Sequence, residues 1–222
     1  MIEISIDNQL KNIAPNLALG VLNATVTFSK HDNDLWKEIN SKIDEIALNM
    51  NMDMIYNIPE FEALRYTYRK LGKDPTRYRG SAEALVRRIL QKKDLYKVNT
   101  IVDINNLISL ETLRPVGSYN LTKIGSSIVF RIGRKDESYE GIGKDIVNIS
   151  NLPVFADEIG AFGSPTSDSV RSMITQDTTK VMMIIISFTG SSSLQSQLKH
   201  TSNLLCKYVK ASPEKIETLI VE

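Results

Sequence analysis

The stretch Lys180–Phe188 reads Lys-Val-Met-Met-Ile-Ile-Ile-Ser-Phe, and from Val181 to Ile186 it carries no polar side chain. A strand in which side chains alternate between two faces can be apolar throughout only if both faces are covered. The run therefore predicts a strand at the centre of a sheet with a layer of structure on each side. Other segments supply partners. Ile2, Ile4 and Ile6 alternate with polar residues, and Leu17 to Phe28 is β-branched and apolar. Further strands are expected at Ser127–Ile132, Ile146–Ile149, Pro153–Ala156 and Ile216–Val221.

Helices alternate with these strands. Leu35, Ile39, Ile43, Ile46, Ala47 and Met50 fall on one helical stripe, with Asp32 or Asp34 placed to cap it. Phe61, Leu64, Tyr68 and Leu71 mark a helix from Glu60 that Gly72 and Pro75 end. A third helix is expected from a Ser81 cap to about Lys93, with Arg87, Arg88 and Lys92 on its outer side. A fourth is expected from Asp103 to Leu113, and a last from Leu194 to Tyr208. With no internal repeat and no evident linker, 222 residues fit a single α+β domain over 1–222.

Composition excludes several functions. No apolar run approaches the ~18–20 residues a membrane helix needs, and the first residues lack the pattern of a secretory signal. A cytoplasmic location is expected. A single cysteine, Cys206, excludes an intramolecular disulfide, and with only His31 and His200 beside it a zinc site has no ligand set. No cofactor and no metal are expected. Gly141-Ile-Gly-Lys lacks the remainder of a nucleotide-binding loop and reads as a hairpin turn. Gly190-Ser-Ser-Ser before the last helix reads as serine capping.

The net charge of +1 conceals an asymmetry. Residues 1–64 carry 4 basic and 10 acidic side chains, whereas residues 65–93 carry 10 basic and 2 acidic. Tyr66, Tyr68 and Tyr78 interleave with this basic block. Cations mixed with aromatic rings suit a phosphate backbone and unstacked bases, and a solvated basic helix face is the equally open alternative. Arg79, Arg87, Arg88 and Lys92 are the candidate RNA-binding residues.

The same region carries a multi-part pattern. Tyr68-Arg-Lys-Leu-Gly-Lys-Asp-Pro is followed by Arg79-Gly-Ser-Ala-Glu-Ala-Leu-Val-Arg-Arg-Ile. Next come Asn99-Thr-Ile-Val-Asp-Ile-Asn-Asn-Leu-Ile-Ser-Leu-Glu and Arg114-Pro-Val-Gly-Ser-Tyr-Asn-Leu-Thr-Lys-Ile, and later Asp177-Thr-Thr-Lys-Val-Met-Met. In this order the segments resemble the tRNA-binding and editing domain of the phenylalanyl-tRNA synthetase beta chain, built from its third and fourth modules. Free-standing proteins made of that domain alone are more similar still. The resemblance covers about residues 60–190. It implies a three-layer β/β/α sandwich, tRNA or aminoacyl-tRNA as partner, and hydrolysis of the ester in mischarged tRNA as the activity.

Carried over position by position, the resemblance implies a pocket. The family's Val-Asp-x-Thr-Asn segment is Val102-Asp103-Ile104-Asn105-Asn106 here, and its following Leu-Glu is Leu110-Glu111. Its Pro-Leu-His-Ala-Phe-Asp segment is Pro115-Val-Gly-Ser-Tyr-Asn, so Gly117 stands in place of a pocket histidine and Asn120 in place of an aspartate. An acidic loop residue maps onto Asp168. Asn105, Asn106 and Ser118 are the candidates for orienting water or a ribose hydroxyl, and Glu111, Gly117, Tyr119 and Asp168 for lining the pocket. Loss of a histidine base costs typically ~10²–10⁴-fold in rate, so weakened hydrolysis is expected, in a pocket that Gly117 enlarges. Three readings stand open: hydrolysis of mischarged tRNA in trans, RNA binding without catalysis, and binding of an amino-acid-like ligand without catalysis.

Overall fold

The computed structural model describes residues 2–222. Among them are six α-helices and three sheets in a mixed α/β arrangement. The apolar run forms strand β9 (Lys180–Ser187), which lies between β2 (Ala18–Thr25) and β3 (Val116–Asn120), and β10 (Glu217–Val221) completes the sheet on the far side of β2. All three pairings are antiparallel. As the sequence requires, both faces of β9 are buried. Val181, Met183 and Ile185 enter one apolar cluster, and Met182, Ile184 and Ile186 enter another.

The first cluster joins this sheet to helices. These are α2 (Asn33–Asn49), α4 (Ser81–Leu90), α5 (Thr100–Thr112) and α6 (Leu194–Val209), which contribute Leu35, Val86, Ile104 and Leu198 among others. The second cluster joins it to a second sheet, in the order β1 (Glu3–Ile6), β4 (Ser127–Ile132), β7 (Pro153–Ala156), β8 (Ala161–Gly163). Helices α1 (Asn8–Ile13) and α3 (Pro59–Lys70) add Leu10, Leu64 and Tyr68 to that cluster. Pairing of β1 with β4 is parallel, and the remainder of the sheet is antiparallel. A hairpin of β5 (Ser138–Glu140) and β6 (Ile146–Asn148) forms the third sheet. Its turn holds Gly141-Ile-Gly-Lys, with Gly143 at φ 64°. Among the described residues no helix is long and apolar enough to cross a membrane.

Asp32 caps α2, accepting from the backbone N–H groups of Asp34 and Leu35. Ala47 is exposed, so the buried stripe of that helix is narrower than its spacing suggests. At α4, Gly80 holds the N-cap position in place of Ser81. The helix also stops at Leu90, short of Lys93. Lys92 takes a left-handed conformation at φ 58°, and the Lys93 N–H donates to the Arg88 carbonyl, which closes the helix end. Asn99 caps α5 through the Val102 N–H, a full turn before the expected start at Asp103. Asn105 and Asn106 consequently sit in the second turn of α5 rather than opening it.

Candidate functional site: a basic cavity at the edge of the central sheet

Strand β3 is an edge strand of the central sheet, and its alternation splits the candidate residues between two faces. Val116 and Ser118 face the helices, whereas Gly117 and Tyr119 face the second sheet, opposite Ile184 and Met182 in register. On the helix side the Ser118 hydroxyl donates to Asn105 Oδ1 at 2.8 Å, and the Asn105 amide donates to Asn106 Oδ1 at 3.4 Å. On the other side the Tyr119 hydroxyl donates to Asp168 Oδ1 at 3.0 Å. Asp168 lies in the loop after β8, where it also accepts from the Ser164 N–H at 3.3 Å.

The two chains of contacts meet beyond the edge of β3, in a cavity of about 640 Å³. Asn106 and Asp168 both line it, together with Arg79, Arg87, Arg88, Lys93, Tyr96 and Lys144. The cations come from α4, from the loops flanking it and from the β5–β6 turn. Burial pushes the Asp168 carboxyl up to about 7, against the pull of its hydrogen bonds from Tyr119 and Ser164 and of the charge on Lys144. Burial also raises the Tyr119 phenol far above its ordinary value, and the neighbouring carboxylate adds to that shift. Near neutral pH the site therefore has a cationic rim above a carboxyl poised between its two protonation states.

One buried carboxylate organises part of the rim. Glu83 accepts from Arg65 Nε at 2.9 Å and Nη2 at 2.6 Å, and from Arg87 Nε at 2.6 Å, with Arg79 at 3.9 Å. Arg65 and Arg87 also lie over the exposed Tyr56 ring, at 4.7 and 5.3 Å. Three guanidinium groups around one carboxylate leave a surplus of positive charge beside the cavity.

A family described as the B3/4 domain matches residues 63–211. The chain belongs to the B3/4 domain family. Among solved structures, this B3/4 chain is similar to an N-terminal fragment of the phenylalanyl-tRNA synthetase beta-subunit from Pyrococcus horikoshii, at 12% identity and a TM-score of 0.46. That similarity covers 98% of this chain and 50% of the fragment, so the chain spans about half the fragment's length. No curated protein matches it.

Within this B3/4 domain the cavity corrects several expectations. Gly117 lines no enlarged pocket, because a Cβ at Gly117 would collide with the Tyr119 phenol, as would one at Gly163. The ring fills the space in which a longer side chain at position 117 would stand. Asn106 and Gly117 lie on opposite sides of the sheet, and Tyr119 reaches the cavity only through Asp168. Glu111 faces elsewhere, and its carboxylate meets the His200 ring at 2.9 Å in a separate depression between α5 and α6. Arg87 is no solvated cation, since its side chain is only 12% exposed and held by Glu83. Tyr68 is buried against Thr166. Lys92 is not among the residues lining the cavity, whereas Lys93 is. Gly190-Ser-Ser-Ser does lead into α6, but the Ser193 hydroxyl accepts from the buried Arg114 guanidinium at 2.6 Å instead of capping the helix.

Tyr96 and Lys144 escaped the sequence reading. Both lie in irregular segments, where periodicity carries no signal. Tyr96 had a weak signal as an aromatic residue just after the basic block.

Proposed function

We propose that the chain is a B3/4 domain, a three-layer β/β/α sandwich over 1–222, that binds tRNA in the cytoplasm and hydrolyses the ester of mischarged aminoacyl-tRNA in trans. The observation carrying this reading is the charge order of the cavity, with cations at the rim and the poised Asp168 carboxyl within. An aminoacylated RNA end has the complementary order, with phosphates outside and an α-ammonium beside the ester. Arg79, Arg88, Lys93 and Lys144 suit the phosphates, while ionised Asp168 suits the ammonium or a water that it deprotonates. An activated ester needs a positioned water and a stabilised oxyanion, with no covalent nucleophile. Asn106 is the side chain of the Ser118–Asn105–Asn106 chain that reaches the cavity and can orient that water.

A second reading, binding without hydrolysis, is favoured by two observations. The Tyr119 hydroxyl already occupies one lobe of the Asp168 carboxyl, and a glycine stands at position 117. Incubation with a panel of mischarged tRNAs separates the two. Hydrolysis predicts deacylation whose rate climbs with pH through about 7 and levels off above it, as the Asp168 carboxylate forms. Asp168→Asn should lower that rate ~10²–10⁴-fold. Retention of charged tRNA without deacylation selects binding alone, and absence of both retention and deacylation overturns the RNA assignment.

A further inference from the structure

Tyr96 is 70% exposed, an unusual position for so large a ring, yet it is not loosely held. The Arg88 guanidinium lies over it, 4.1 Å from the ring centroid. The Arg88 Nε in turn donates to the Asp94 carbonyl, in the same loop as the ring it covers. The neighbouring Leu95 is buried in the helical cluster and pins the loop. One face of the phenol is thus fixed by a cation, and among the described residues no other aromatic ring stacks on it. The ring stands in the cavity lining beside Lys93.

From this geometry we infer that Tyr96 is a stacking platform for one unpaired nucleobase next to the RNA end that enters the cavity. This rests on the RNA reading above and adds a base contact to it. A fixed aromatic face beside cations is the arrangement that holds single-stranded nucleic acid with little sequence preference. Arg88 preorganises the ring from behind, and Lys93 and Arg79 lie where the phosphates flanking the base would pass. The base stacks at the rim of the cavity, whose interior is left to the acylated end.

The test uses short single-stranded RNAs carrying 2-aminopurine near the 3′ end, whose fluorescence is quenched by stacking, and matched RNAs with an abasic residue at that position. The parent protein should quench the 2-aminopurine and bind the abasic RNA about 5- to 100-fold more weakly than the intact one. Tyr96→Ala should abolish the quenching and lose the same factor on intact RNA, with no further loss on abasic RNA. Tyr96→Phe should behave as the parent. Equal binding of intact and abasic RNA by the parent overturns the platform and leaves the RNA reading standing, and this arm needs no variant to fold. If the parent binds neither RNA nor charged tRNA, the RNA reading falls and takes the platform with it.

Discussion

Asp103 and Asp168 are both carboxyls that burial pushes above their ordinary range, and they are put to different uses. Asp103 accepts from the Trp36 indole at 2.7 Å and from the Val98 N–H at 3.2 Å, and so ties α5 to α2 inside the helical layer. It belongs to the recognised motif but stays out of the cavity. Asp168 faces the cavity, and its raised pKa has a stability consequence. The folded protein holds this proton more tightly than the unfolded chain, so the native state loses stability as pH rises from about 4 to about 7. Asp168→Asn keeps an acceptor for Tyr119 and Ser164 and removes the buried charge. Its stability relative to the parent should therefore grow across that interval by roughly 4 kcal/mol and level off above it. Thermal unfolding of both proteins over pH 4–8 measures this, and a pH-independent difference would mean that the carboxyl titrates normally.

At the scale of elements, α4 shows why a basic helix is not the same as a basic surface. Its Glu83 is buried and engaged by Arg65 from α3 and Arg87 from its own next turn. Replacing Glu83 by Gln strands two guanidinium groups in a nearly dry site and should destabilise the protein by about 3–5 kcal/mol. Denaturant unfolding at neutral pH is the measurement, and a loss below about 1 kcal/mol would make the cluster an ordinary surface ion pair. Elements of this size were legible wherever apolar spacing ran over several turns or residues, as in α2, α3, α6, β2, β4, β7 and β9. The six-residue α1 and the three-residue β5 and β8 were not, because so few residues set no period. The start of α5 was hidden by Thr100, Ile101 and Val102, all three β-branched, which resemble strand until the Asn99 cap is seen. For the site, the sequence showed the basic block and the motif residues. It could not show that β3 turns Ser118 and Tyr119 to opposite faces around a shared edge, or that Glu83 withdraws two of the arginines.

For the molecule as a whole, the basic block has two populations. Arg65 and Arg87 hold the fold together, and Arg79, Arg88 and Lys93 surround the cavity with Lys144 from a distant hairpin. Counterion release makes the second population visible in salt titrations. Arg88→Ala combined with Lys93→Ala should reduce the slope of log affinity for tRNA against log salt by up to ~2. Lys37→Ala with Lys42→Ala, on α2 and paired with Asp34 and Glu45, should leave the slope unchanged. Equal slopes for parent and the cavity variant would move the RNA path to another face.

Wedged before both Gly117 and Gly163, the Tyr119 ring also sets an order on sequence change. A side chain cannot be added at position 117 until the ring at 119 has been cut back, and cutting it back releases the hydroxyl that holds Asp168. Placing a histidine at 117 therefore takes at least two steps, and the intermediate has neither the phenol nor the imidazole. Such a passage acts as a ratchet: the Gly–Tyr–Gly wedge gives way to an imidazole at 117 only through a form with a loosened acid.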